Sequence, residues 1–126
     1  DIYIGKVAEF MVYNFLINEK KIVSSPDLNI YEKFNKSYDA DLMTKNSNIH
    51  VKSHMINNIF PVSWVFQKKD PLVSKKNEND ILALVVISDR NSYMHFKKVL
   101  DVIFKEPLKE SLKETKVCIY ESDLIK

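Results

Sequence analysis

Four side chains combine types and spacing that could carry chemistry: Glu9, Asp41, His50 and Lys52. In Ile49-His50-Val51-Lys52-Ser53 apolar and polar residues alternate, so a strand there puts His50 and Lys52 on one face and Ile49 and Val51 on the other. A second extended run, Tyr38 to Met43, carries Asp41, and the polar tetrapeptide Lys45-Asn46-Ser47-Asn48 between the runs predicts a β-hairpin. A four-residue turn pairs Asp41 with Lys52 and Met43 with His50, so a carboxylate, an imidazole and an amine converge on one patch. Such a patch is either a reactive site or the polar surface of an amphipathic hairpin, with a cross-strand ion pair worth under ~1 kcal/mol.

Glu9 adds a fourth group. Ile4, Val7, Ala8, Met11 and Phe15 recur every three or four residues and predict an amphipathic helix from about Ile4 to Asn18. On that helix Glu9 neighbours Gly5, Val12, Tyr13 and Leu16, an apolar flank on which a charge needs a partner. Gly5 is the only glycine of the chain, and it either admits a backbone or ligand close to the helix or merely starts it. Glu9 itself either faces such a site or pairs with Lys6 or Lys20 in solvent.

The elements that must position these groups can be read from pattern. Lys21 to Ser25 is short and β-branched and is stopped by Pro26-Asp27, which predicts a first strand and then a long polar loop to about Lys36. Val62 to Phe66 is another strand candidate. "DILALVVIS", Asp80 to Ser88, is a near-continuous apolar run, the pattern of a central strand buried on both faces, and Ser92 to Phe96 returns antiparallel to it. Helical segments are expected at Phe96–Phe104 and Leu108–Lys113, interrupted at Pro107, before an edge strand at Val117–Tyr120. The sum is an α/β or α+β fold around one mixed sheet, and a single domain over residues 1–126.

Composition bounds the function. The 126 residues are 45% hydrophobic, enough for a core, and no apolar run reaches the ~18 residues that span a membrane. The first residue is Asp1, with neither an initiator Met nor a basic-then-apolar leader, so a trimmed or partial chain is expected and no secretory leader is visible. The single cysteine, Cys118, leaves no internal disulfide and no cysteine zinc site, consistent with a reducing, cytoplasmic setting. Its neighbours Val117 and Ile119 predict a buried thiol. P-loop and dinucleotide fingerprints are absent, which argues against NTPase and redox classes. The net charge of +2 conceals Lys68, Lys69, Lys75 and Lys76 in one short window, either a solvated loop or a phosphate-contacting one. Gln67, just before it, could reach nucleic acid or stay a surface amide. Trp64 reads as core and His95 as structural, while His54 extends the His50–Lys52 face if the strand runs that far.

The ordered set Gly5-x-x-Ala8-Glu9 on a helix, Asp41-Leu42 on a strand and His50-x-Lys52 on its hairpin partner resembles the PD-(D/E)XK nuclease superfamily, notably its restriction-endonuclease-like and Holliday-junction-resolvase-like members. "SWVFQKKDP" and the apolar strand after it look like the segments that come after the catalytic hairpin in such domains, so the resemblance spans about Gly5 to Ser88. It implies an αβββαβ core, a central mixed sheet flanked by helices, and a metal-dependent DNA endonuclease. Hydrolysis of a phosphodiester needs water activated and developing charge neutralised, which carboxylate-held Mg²⁺ or Mn²⁺ supplies. By this resemblance Asp41 is the central metal ligand, Glu9 an outer one, and the Val51 backbone carbonyl a third. Lys52 orients or deprotonates the water, or stabilises the phosphorane.

The departure from the family pattern is His50, which stands where an acid, or in some branches glutamine, is expected. Imidazole can ligate metal but brings no negative charge, so Mn²⁺ preference, loss of activity below about pH 6, and a weak or inactive site are all expectations. Asp39 could supply the missing charge. DNA is the expected partner, reached as a homodimer or through a partner subunit, since one site cuts one strand. The alternative is a non-catalytic nucleic-acid-binding or assembly module on the same fold.

Overall fold

The computed structural model describes residues 2–19, 40–57 and 59–125. The expected strand at Lys21–Ser25, its loop and Asp39 lie outside the described residues. Helix α1 spans Ile2–Asn18, as the apolar spacing requires. It is followed by β1 (Leu42–Met43), β2 (Asn48–Met55), β3 (Ser63–Gln67), the single-turn α2 (Pro71–Ser74), β4 (Asp80–Ile87), β5 (Tyr93–Lys98) and β6 (Lys116–Tyr120). Strands β1, β2, β4 and β5 form a mixed sheet in that order, with β2 parallel to β4 and antiparallel pairs on either side, while β3 and β6 form a second, two-stranded sheet.

The central strand explains the layering. Leu82, Ala83, Leu84, Val85 and Val86 of β4 are all fully buried because successive residues face opposite layers. Ala83 and Val85 join Ala8, Val12 and Leu16 of α1 with Leu42 and Ile49, and Leu82, Leu84 and Val86 join Trp64, Phe66 and Ile119 of the small sheet. Each buried Val, Leu, Ile or Phe among them contributes about 1.5–3 kcal/mol by leaving water, the alanines less. Trp64 Nε1–H also donates to the Val85 carbonyl at 3.0 Å, tying the two sheets together without orphaning the indole. The fold is therefore α+β with a mixed four-stranded sheet, and among the described residues the long helix α1 covers one face. The other lies under β3, whose burial alternates, β6, its antiparallel partner, and Leu72 of α2.

The expected helices at Phe96–Phe104 and Leu108–Lys113 do not form. Met94 and Phe96 alternate with His95 and Lys97, and this two-residue period lets β5 run on to Lys98 against β4. Between it and β6 only 3₁₀ turns occur, at Val99–Asp101 and Glu110–Leu112, and Lys105 instead bridges to Cys118. Strand β6 forms where expected and pairs with β3. Among the described residues a Cβ added to Gly5 would meet nothing within 4 Å, so no described backbone approaches the helix closely there.

Candidate functional site

The hairpin forms, with a changed register. Thr44 N–H donates to the Ser47 carbonyl at 2.9 Å, which leaves Lys45-Asn46 as a two-residue loop. Leu42 then pairs with Ile49 and Met43 with Asn48, so the expected Met43–His50 pairing is wrong by two residues. A slip of two keeps every side chain on its face, and only a slip of one would have reversed the hairpin.

Asp41 sits where the ladder ends. Its N–H donates to the Ile49 carbonyl at 3.0 Å, and its Oδ2 accepts the Val51 N–H at 2.7 Å, standing in for a strand carbonyl. Burial pushes the Asp41 carboxyl above its usual pKa of 3.8, against the opposing pull of the Val51 N–H and of positive charge on His50, Lys52 and Lys6. The structure thus brings Asp41, His50 and Lys52 into one neighbourhood.

Glu9 is buried on α1, and its Oε2 lies 3.5 Å from Lys6 Nζ, one helical turn away. The pairing with Lys6 is one of the two expected, with Glu9 buried and Lys6 half-buried. Because Lys6 also acts on Asp41, one ammonium attracts both carboxylates. Lys6 was not among the expected site residues; its place one turn from Glu9 was the available signal.

His50 is buried, and its Nε2 lies 3.3 Å from Asp80 Oδ1. Asp80, thirty residues away, opens β4 and reaches His50 through the parallel β2–β4 register. From sequence Asp80 is only an acid of the lysine window and the start of an apolar strand. Met43, Asn48, Lys75 and these two residues line a shallow hollow of about 440 Å³. Lys52 points into the layer under the small sheet, its Nζ 4.9 Å from the centre of the Phe66 ring. The polar face of β2 is thus an interior face.

The lysine window divides. Lys68, Lys69, Lys75 and Lys76 are all exposed. Lys76 nevertheless donates to the Val102 carbonyl at 3.0 Å and lies over Phe104, which gives it a structural role. Gln67 is half-buried at the end of β3, opposite Lys116. Asp70 caps α2 through the Leu72 N–H at 3.0 Å.

At the far end of β2, the strand runs past His54, whose Nε2 is buried without a hydrogen-bond partner among the described residues. Nearby, Glu121 accepts the Tyr93 hydroxyl at 2.6 Å and lies 2.9 Å from His95 Nε2. Trp64 and Cys118 are buried, as expected.

Among the described residues no three His, Cys, Asp or Glu side chains converge closely enough to hold a metal ion by themselves. No described helix is long and apolar enough to cross a membrane. Comparison with known families, curated proteins and solved structures found no match.

Proposed function

We propose that this chain is a metal-dependent DNA endonuclease of the restriction-endonuclease-like kind. The observation that carries the reading is Asp41, a half-buried carboxylate whose charge is only partly compensated, beside Lys52, His50 and Lys6. Perturbed carboxylates next to a lysine are what hydrolytic sites require.

The donor set suits a hard cation in part. Asp41 and Glu9 are both drawn to one positive charge, that of Lys6, so this locus already favours a cation. Magnesium is commonly held by one or two carboxylates together with substrate phosphate oxygens, not by a full protein cage. Asp41, Glu9 and the Val51 carbonyl would hold Mg²⁺ or Mn²⁺, which would neutralise phosphate charge and lower the pKa of water. With Nε2 at Asp80, His50 could join that set only through Nδ1.

The remaining work falls to the chain's own residues. Lys52, held near Asp41 and against the Phe66 ring, orients the attacking water or steadies the phosphorane oxygens. Lys75, on the rim of the hollow beside His50, and the exposed Lys68 and Lys69 neutralise backbone phosphates; Gln67 lies next to them. A single site cuts one strand, so duplex cleavage requires a second copy or a partner subunit.

A second reading, a nucleic-acid-binding module without catalysis, draws support from the His50–Asp80 pair and from the lack of a three-donor cluster among the described residues. Plasmid nicking separates the two. The purified protein is expected to nick supercoiled plasmid in Mn²⁺ or Mg²⁺, and Lys52→Ala to abolish nicking while leaving the circular dichroism spectrum unchanged. DNA binding without cleavage in either metal selects the second reading.

A further inference from the structure

On the other side of Lys52 lies a cavity the proposed reaction does not use. It has a volume of about 270 Å³ and is bounded by the end of β2, the small sheet and the 107–112 segment. Lys52, Ser53 and His54 all line it. Neighbouring side chains of a strand point to opposite faces, so three consecutive residues share one cavity only where it opens along the strand's edge.

That edge is unfinished. Ile56 N–H donates to the Ile87 carbonyl on β4, whereas the Ile49 carbonyl and the Val51 N–H turn the other way, to Asp41. Alternate residues of a strand direct their N–H and C=O to opposite edges, so Ser53 shares the outward edge with Ile49 and Val51. Strand β1 pairs only with Asn48 and Ile49, and Asp41 supplies the last partner, at Val51. Among the described residues the Ser53 N–H and carbonyl have no hydrogen-bond partner, which leaves one donor and one acceptor side by side.

The walls are apolar, and the nearby charges are spoken for. Phe60, Val65, Leu108 and Leu112 line the cavity. Asn57 Oδ1 accepts the Ile59 and Phe60 N–H groups at 2.9 and 3.0 Å, which fixes the turn that carries Phe60. Burial pushes the Cys118 thiol up, and burial together with the Cys118 contact pushes the Tyr120 phenol up to about 12, so both lining groups stay neutral. Lys52 is engaged with Asp41 and Phe66, and Lys109 is an exposed surface side chain, so recognition falls to uncharged groups. A flat ring with a donor and an acceptor on its edge suits such a slot, because it satisfies Ser53 without bringing an unpaired charge between apolar walls. The volume, just under the ~300–1,000 Å³ of drug-sized sites, admits one such ring system.

We infer that this cavity takes one unpaired nucleobase of the nucleic-acid substrate, its edge bonded to the Ser53 N–H and carbonyl and its faces against Phe60, Leu108 and Leu112. The inference rests on the nuclease reading for the position of the phosphate. Val51, whose carbonyl that reading gives to the metal, and Ser53 lie two residues apart on one edge, ~7 Å along the strand, a separation that one nucleotide bridges from phosphate to base. The substrate class is accordingly nucleic acid with an unpaired nucleotide at the cut, since a base stacked and paired in a duplex does not enter a cavity.

Fluorescence anisotropy in EDTA tests it, with three end-labelled DNA duplexes alike except at one position: a bulged 2-aminopurine, a bulged abasic residue and a paired 2-aminopurine. The bulged base is expected to bind at least about tenfold tighter than the abasic bulge, the scale of the contacts one base makes, and 2-aminopurine emission to change on binding only when bulged. Leu112→Trp, which fills the cavity, should bring the bulged base to the abasic affinity. Ser53→Pro, which removes an N–H that faces the open edge and so spares the ladder with β4, should weaken the bulged base alone. Equal affinity for base and abasic bulge, no binding of either, or an undiminished preference in either folded variant overturns the assignment. Binding of the free 2-aminopurine nucleoside as tight as that of the bulged duplex would make the ligand a mononucleoside, and also overturns it. Because EDTA removes metal and every readout is binding, a protein that never nicks DNA can still pass, and one that nicks can still fail.

Discussion

Asp41 and Glu121 are both half-buried carboxylates next to strand ends and near histidines, yet their surroundings drive them in opposite directions. Burial by itself would raise the Glu121 carboxyl, but the hydrogen bonds it accepts from Tyr93 and His95, with nearby positive charge, outweigh burial and hold it below the usual 4.5. Tyr93 responds in kind, its phenol pushed up to about 12 mainly by that bond. At Asp41 burial wins over one backbone N–H and three positive neighbours, and the carboxyl is raised. A fold that satisfies one acid and leaves the other under-compensated is using the first for structure. The second is poised for an added cation or proton.

The difference can be broken most sharply at Asp41. Asp41→Asn is expected to lower plasmid nicking by about 10²-fold or more, the range for removing a catalytic charge. The same substitution should stabilise the fold at neutral pH, by about 1 kcal/mol, as changes at strained active sites often do. The direction comes from linkage. A folded pKa above 3.8 gives a stability contribution that is complete below 3.8 and lost as pH rises through the folded value, so ionised Asp41 weighs against folding at pH 7. Thermal melts at pH 7 should show the variant above wild type, and a lower melting temperature would contradict the assignment of Asp41 as the under-compensated group.

Glu121→Gln should do the reverse. Losing hydrogen bonds to a charged acceptor is expected to cost about 1.5–3 kcal/mol, with nicking retained. A lowered folded pKa gives stability that is present above 4.5 and lost as pH falls through the folded value. Urea melts of variant and wild type should therefore differ at pH 7 and converge in acid; a gap that persists in acid would point to packing, not charge.

Asp80→Asn tests whether His50 belongs to the structural or the reactive region. Weakening the 3.3 Å His50–Asp80 contact is expected to lower stability by about 1 kcal/mol, as for a partly buried pair. No change in the urea midpoint would show that the pair does not anchor His50. The smallest effect is expected at Gly5→Ala, where a Cβ meets nothing within 4 Å. The added methyl should stabilise α1 by up to ~1 kcal/mol without altering nicking, and a loss of activity there would restore a role for close approach at Gly5.

Legibility varied with the range of the interaction concerned. The β4 run from Asp80 to Ile87 could be read directly, because burial on both faces leaves an uninterrupted apolar stretch. The hairpin could be read too, though its loop was shorter than the polar tetrapeptide suggested, so the partner of each residue shifted while its face did not. Phe96 to Phe104 misled, because spaced apolar residues among lysines fit a helix as well as a strand that pairs with β4. The nearness of Asp41, His50 and Lys52 could be read from alternation and hairpin logic. That of Asp80 could not, since nothing local ties it to a histidine thirty residues away.

The sequence by itself determined that β2 has two faces, with Ile49 and Val51 on one and His50, Lys52 and His54 on the other, because side-chain direction in a strand is fixed by the backbone. Only the tertiary structure decided what lies over each face. Pairing of β2 with β4, and the packing of β3 and β6 on their outer side, turned an apparent solvent face into an interior one. Burial is what raises Asp41, against the opposing pull of Lys6 brought in from α1, and the fold puts Lys52 between a carboxylate and a cavity. Local periodicity reports which residues travel together; the environment they meet is set by segments far apart in the chain, through a desolvation that no neighbouring residue encodes.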